Sequence, residues 1–287
     1  MLPILLSLID VAIERGGVIE YGSMKIDFSQ VRGMESPGFT VPVNVGVPGR
    51  PVTDSSTIEI LESLRQSMES DIIIIDIEKG QAWWETRLLV LLAGAVRLKK
   101  PEKVVFVGTD GGVDKCFLGW GHPSDLLRCL LQAHPQYLRS FHFVRAIFRQ
   151  FELIEPKNPA DPVNPVPLLP GWMSTGAATQ NPFIAFNNNT GLPNELFAEQ
   201  LLASDLGAKI EMNAQQKGIT LVRLEELFRP VLHRESVDES LSAEHQISEF
   251  FKSDASYIAF TRNGRYTTLA SRLSVLNTIV RTIVEKK

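Results

Sequence analysis

Two cysteines in 287 residues are too few for a disulfide framework or a cysteine-ligated metal. Cys116 and Cys129 therefore read as free thiols in a reducing compartment, and a cytoplasmic location is expected. The five histidines (122, 134, 142, 233 and 245) fall in no HExxH or comparable ligand spacing, so no metal site is expected. His142 lies near an apolar helix face and reads as a core or boundary residue. No run approaches the ~20 apolar residues of a membrane-spanning helix. The longest early run, Leu2 to Ile13, is broken by Ser7 and Asp10 and reads as an amphipathic first helix. It has neither the basic lead nor the cleavage site of a secretory signal. Membrane contact through residues 2–13 is the alternative, and Asp10 and Glu14 weigh against an anionic lipid surface.

Neither sign of charge dominates. There are 33 acids and 29 bases, and residues 183–287 alone hold 13 and 12. The longest basic cluster, Arg97, Lys99, Lys100 and Lys103, is short and reads as a solvated helix end. Nucleic acid is thus not an expected partner, because phosphate binding needs clustered cations. Nucleophilic catalysis also lacks its parts. Ser174 sits in a small-residue turn, but inside a proline-rich stretch rather than between strand and helix. No catalytic residue is nominated, and the residues by themselves indicate no cofactor.

What is present is an ordinary core composition, 44% hydrophobic and 22% charged. Seven of the 17 prolines fall between Pro156 and Pro182. Proline fixes φ and removes a backbone donor, so no regular element is expected there. The stretch divides the chain into an α/β domain (1–155), a linker (156–182) and a smaller α+β domain (183–287).

In the first domain strands and helices alternate. Thr40 to Val47 alternates as a strand, and Pro48-Gly49 with Pro51 marks a turn. Ser56 and Glu59 fit a capping box ahead of a helix. Asp71 to Ile77 and Lys103 to Val107 are β-branched runs suited to buried strands of a parallel sheet. Helices are expected over 84–98, 123–133 and 136–151. Short crossovers make this a three-layer domain with a mainly parallel sheet. The order over residues 40–110 resembles that of sulfate-transporter and anti-sigma-antagonist (STAS) domains. Glu78-Lys79-Gly80-Gln81-Ala82-Trp83 stands where those domains carry a phosphorylatable serine.

Beyond the linker, helices are expected over 195–206, ended by Gly207, and over 221–228 and 243–251. Strands at 257–261 and 265–270 flank Asn263-Gly264, a strong hairpin signal. Residues 227–284 resemble one CBS motif, with a proline-marked start (Leu227-Phe228-Arg229-Pro230), a helix, the hairpin and a closing helix. In that family motifs pair, and adenine nucleotides often bind between them. Ser271 matches the hydroxyl that commonly contacts ribose, while Ser274 replaces the usual acid. The resemblance implies a dimerising or docking module, with a homo-oligomer or protein partner and an adenine nucleotide as possible ligand.

Ligands of open α/β sheets bind outside the carboxyl ends of the strands. Asp76, Glu78, Lys79, Gly80, Trp83, Trp84, Glu85 and Arg87 follow the first buried strand; Thr109, Asp110, Gly111 and Gly112 follow the second. With the two strands adjacent, these groups could face one crevice, where paired carboxylates do acid–base work or hold a cation. Alternatively they form ion pairs with Lys79 or Arg87, and the tryptophans anchor a helix start. Gly108 to Gly121 is glycine-rich, matches no phosphate-loop pattern, and reads as a loop. If it held an anion, Trp120 and His122 would line it. The sequence thus favours a non-catalytic regulatory or scaffolding protein that binds a partner or small ligand. The alternative is an enzyme or nucleotide sensor at the carboxyl ends of strands 71–77 and 103–107.

Overall fold

The computed structural model describes residues 18–21, 24–27, 49–52, 56–66, 70–80, 82–152, 196–211 and 217–285. The helix expected over 2–13, the strand over 40–47, the proline-rich stretch 156–182 and Ser174 lie outside them. Contacts group the chain into two compact units: residues 47–234 with 264–269, and residues 1–46 with 235–263 and 270–287.

The larger unit is mixed α/β. Strands β3 (Arg50–Val52), β4 (Ile72–Asp76) and β5 (Lys103–Asp110) run parallel, with Ile73 opposite both Arg50 and Val104. Residues expected to turn at Pro51 instead form the edge strand β3. Proline is tolerated there because an edge strand leaves part of its backbone out of the ladder. The earlier β1 (Val18–Tyr21) and β2 (Met24–Asp27) pair antiparallel and belong to the smaller unit.

The largest departure from the expected sheet comes at residues 108–121. They are not a loop. β5 runs on to Asp110, turns at Gly111 and Gly112 (φ 55° and 84°), and returns as β6 (Val113–Gly121). β6 pairs antiparallel with β5, so the sheet is mixed rather than mainly parallel. The two glycines supply the positive φ that such a turn needs at low steric cost. Gly119 has φ 146°, and a Cβ there would lie 2.5 Å from Leu232 Cγ. Trp120 and His233 exchange both backbone hydrogen bonds at 2.8 Å, which holds Leu232 against that glycine. On β6, Cys116 also pairs with Arg265.

Helices α1 (Thr57–Gln66), α2 (Glu85–Leu98), α3 (Pro123–Ala133) and α4 (Pro135–Glu152) fall where the 3.6-residue period places them. Ser56 caps α1, its Oγ accepting from the Glu59 N–H at 3.3 Å. α2 is apolar nearly all round and accordingly buried along most of its length. On α4, Tyr137 and Val144 are buried and Phe141 and Phe148 half-buried, but His142 is exposed. It falls one residue off the stripe, on the solvent side.

Helices α5 (Phe197–Leu206) and α6 (Leu221–Phe228) follow residues 153–195 in the chain, yet they share one core with α2 and β5. Gly207 does not end α5 in a left-handed cap; the chain continues as a π-helical turn, Gly207–Glu211. Phe106 and Phe228 stack within this core at 5.9 Å.

The smaller unit orders β7 (Ser236–Asp238), α7 (Ala243–Lys252), β8 (Tyr257–Arg262), part of β9 (Arg265–Ser271) and α8 (Arg272–Glu285). β7 runs parallel to β8, with Val237 opposite Phe260. Phe250, Ile258 and Val275 join these two in a second core. Asn263 and Gly264 both adopt positive φ (53° and 76°), as a two-residue I′ turn requires.

Candidate functional site

β4 and β5 are adjacent and parallel, and their carboxyl ends meet, since the Thr109 N–H donates to the Glu78 carbonyl at 2.8 Å. Asp76 Oδ1 accepts from the Glu78 N–H at 2.8 Å, forming a tight turn in which Glu78 takes φ 49°. Glu78 and Lys79 are exposed, and Asp76 is half-buried. Asp76, Glu78 and Thr109 are therefore neighbours, as expected.

The remaining groups diverge. Trp83 is 1% exposed and belongs to the core, while Trp84 is 38% exposed. Arg87 hydrogen-bonds Thr57 on α1. Thr109 Oγ1 donates to Asp114 at 3.1 Å, and Asp110, Gly111 and Gly112 lie exposed at the hairpin end. Residues 217–220 close over the loop after β4. The Ile219 N–H donates to the Trp83 carbonyl at 2.8 Å, and a Cβ on Gly80 would meet Thr220 Cα at 2.7 Å. Ser271 ends β9 in the smaller unit and is half-buried.

Beside this loop lies a cluster of which the sequence singled out Glu85 alone, without its partners His134, Tyr137 and Arg223. Glu85, the first residue of α2, is fully buried. Its Oε1 accepts from Arg223 Nε on α6 at 2.6 Å, and its Oε2 accepts from the Tyr137 hydroxyl on α4 at 3.1 Å. His134, between α3 and α4, places Nε2 2.8 Å from Glu85 Oε2 and 2.8 Å from an Arg223 terminal nitrogen. One ring nitrogen thus sits between a donor and an acceptor and serves one at a time. Burial pushes the His134 pKa below its ordinary value; Arg223 and Lys217 push it the same way, and Glu85 opposes them. Burial also works against the charge on Arg223, but its bonds to Glu85 and Glu226 outweigh this and raise its pKa. No residue type announces the cluster, because an acid at a helix start is ordinary and the partners come from three distant segments.

A second feature is a cavity of about 260 Å³ among α2, α4 and α5. One wall carries Arg97, held by Glu199 in a two-bond pair at 2.8 and 2.7 Å. Glu199 is buried, and the Arg97 guanidinium lies 5.2 Å from the Phe148 ring centroid. The apolar lining includes Val96, Phe141, Val144, Phe148 and Leu202. Arg145 and Arg149, both exposed, complete the rim. Guanidinium groups beside apolar walls can bind and orient a ligand, but they supply neither a nucleophile nor a general base at neutral pH.

Among the described residues no group of histidine, cysteine or acidic side chains could hold a metal ion. Among them, too, no helix is long and apolar enough to cross a membrane. Cys116 and Cys129 are both free thiols, and burial raises that of Cys129. No protein-family model, curated protein or solved structure matches the chain.

Proposed function

We propose that this is a non-catalytic regulatory or scaffolding protein that binds a small ligand or partner, with the cavity among α2, α4 and α5 as a binding site. The observation that carries this reading is the cavity lining, apolar walls around an Arg97 locked by buried Glu199. A rigid, preorganised polar group in an apolar hollow is what a binding site requires. Of the groups that an enzyme would use at the sheet end, Trp83 is in the core, Arg87 bonds Thr57 and Asp110 is exposed at the hairpin end.

A second binding role is proposed for residues 227–284, on the ground of their resemblance to a CBS motif. On that reading they dock a second copy or a partner, and an adenine nucleotide is their candidate ligand, near Ser271. A cytoplasmic location fits both roles.

The test is a thermal-shift and turnover screen of the full chain against adenine nucleotides, small carboxylates and simple esters. A ligand that binds only the folded state raises its apparent stability. Stabilisation without product supports the proposal. Turnover of any compound abolished by a change at Asp76, Glu78 or Asp110 would favour the enzyme alternative.

A further inference from the structure

The charge of the cavity rim selects among ligands. Arg97 is already neutralised by Glu199, with both guanidinium–carboxylate bonds made. Arg145 and Arg149 stand one helical turn apart on α4, and no carboxylate among the described residues pairs with either. Like charges at i and i+4 repel each other on a helix. That repulsion is relieved when an anion sits between them, and two guanidinium groups suit a planar carboxylate.

The Arg145 guanidinium lies 5.6 Å from the Phe141 ring centroid, so the cationic rim and the aromatic wall adjoin. Below the rim the lining is aliphatic and aromatic. A volume of about 260 Å³ falls just under the ~300–1,000 Å³ usual for drug-sized ligands. The occupant is therefore small.

Resting on the reading of this cavity as a binding site, we infer that its ligand is a small anionic amphiphile. Its carboxylate is held by Arg145 and Arg149, and its short apolar body lies against Phe141, Val144 and Phe148. The bond is noncovalent and the ligand leaves unchanged. A membrane surface is a poorer match than a free molecule, because the apolar contacts lie in a hollow rather than on an outward face.

The experiment is calorimetric titration of the full chain with octanoate, octan-1-ol and octylamine. These share one tail and differ in the charge of the head. Octanoate is expected to bind at least tenfold more tightly than the other two. The Arg145→Ala/Arg149→Ala double variant should lose that preference, whereas Arg139→Ala, exposed on the same helix outside the cavity, should keep it. Ala198→Leu, which fills the hollow, should abolish binding of all three.

Equal binding of octan-1-ol or octylamine, still blocked by Ala198→Leu, would overturn the anionic class and leave the cavity as a site. Binding that Ala198→Leu does not reduce, or no binding by any of the three, would overturn the cavity reading itself.

Discussion

The side-chain Nε of Arg223 lies 2.6 Å from Oε1 of Glu85, a residue 138 positions earlier in the chain. The bond fastens α6 to the start of α2 and holds residues 217–220 over the loop that follows β4. Its two ends are unequally exposed, with Glu85 at 0% and the Arg223 side chain at 23%. Removing the arginine strands a carboxylate without its cation. Arg223→Ala is expected to destabilise the fold by about 3–5 kcal/mol. In Glu85→Gln the arginine can still reach water, so the loss should be clearly smaller. Urea denaturation of both variants gives the ordering.

His134 makes this junction sensitive to pH. Its folded pKa is pushed below the ordinary value of 6.5, chiefly by burial. A depressed imidazole means that the unfolded chain takes up its proton first. Stability is therefore full above about pH 6.5 and declines as the pH falls from there toward the lower folded pKa. His134→Gln should flatten this slope. Thermal midpoints between pH 7.5 and 5.5, for wild type and variant, measure the difference.

Two glycines mark where backbones and side chains approach most closely. A Cβ on Gly94 would lie 2.5 Å from Leu64 Cδ1 and 3.0 Å from Glu199 Cγ. Alanine would favour the helix by up to about 1 kcal/mol, but overpacking costs about 1–3 kcal/mol, so Gly94→Ala should destabilise on balance. Gly119→Ala should cost more, since it combines positive φ with Leu232 at 2.5 Å. Gly112→Ala, with no atom near its Cβ, should lose only the ~1–2 kcal/mol of backbone strain. Chemical denaturation of the three variants tests the ranking Gly119, Gly94, Gly112.

The sequence revealed the elements better than their partners. The capping serine at 56, the isoleucine run 72–75 and the proline at the start of α3 signal locally, and each element formed close to its expected bounds. Residues 108–121 failed because the glycines were read as a loop. Two adjacent glycines form a turn, and the rest of the segment is β6. Of the residues nominated beyond the two strands, those brought together are the local ones, Asp76, Glu78 and Thr109. Glu85, His134, Tyr137 and Arg223 carry no spacing that joins them, and neither do Arg97 and Glu199. Such pairings exist only once helices far apart in the chain share a core.

The most direct test of the binding role is a methyl-resolved NMR titration of the full chain with octanoate. Val96, Val144 and Leu202 line the cavity, whereas Val237 and Ile258 belong to the core of the smaller unit. Saturable shifts confined to the methyl groups of the first three residues, absent in Ala198→Leu, are predicted. Shifts centred on Val237 and Ile258, or none at Val96, Val144 and Leu202, would contradict the account.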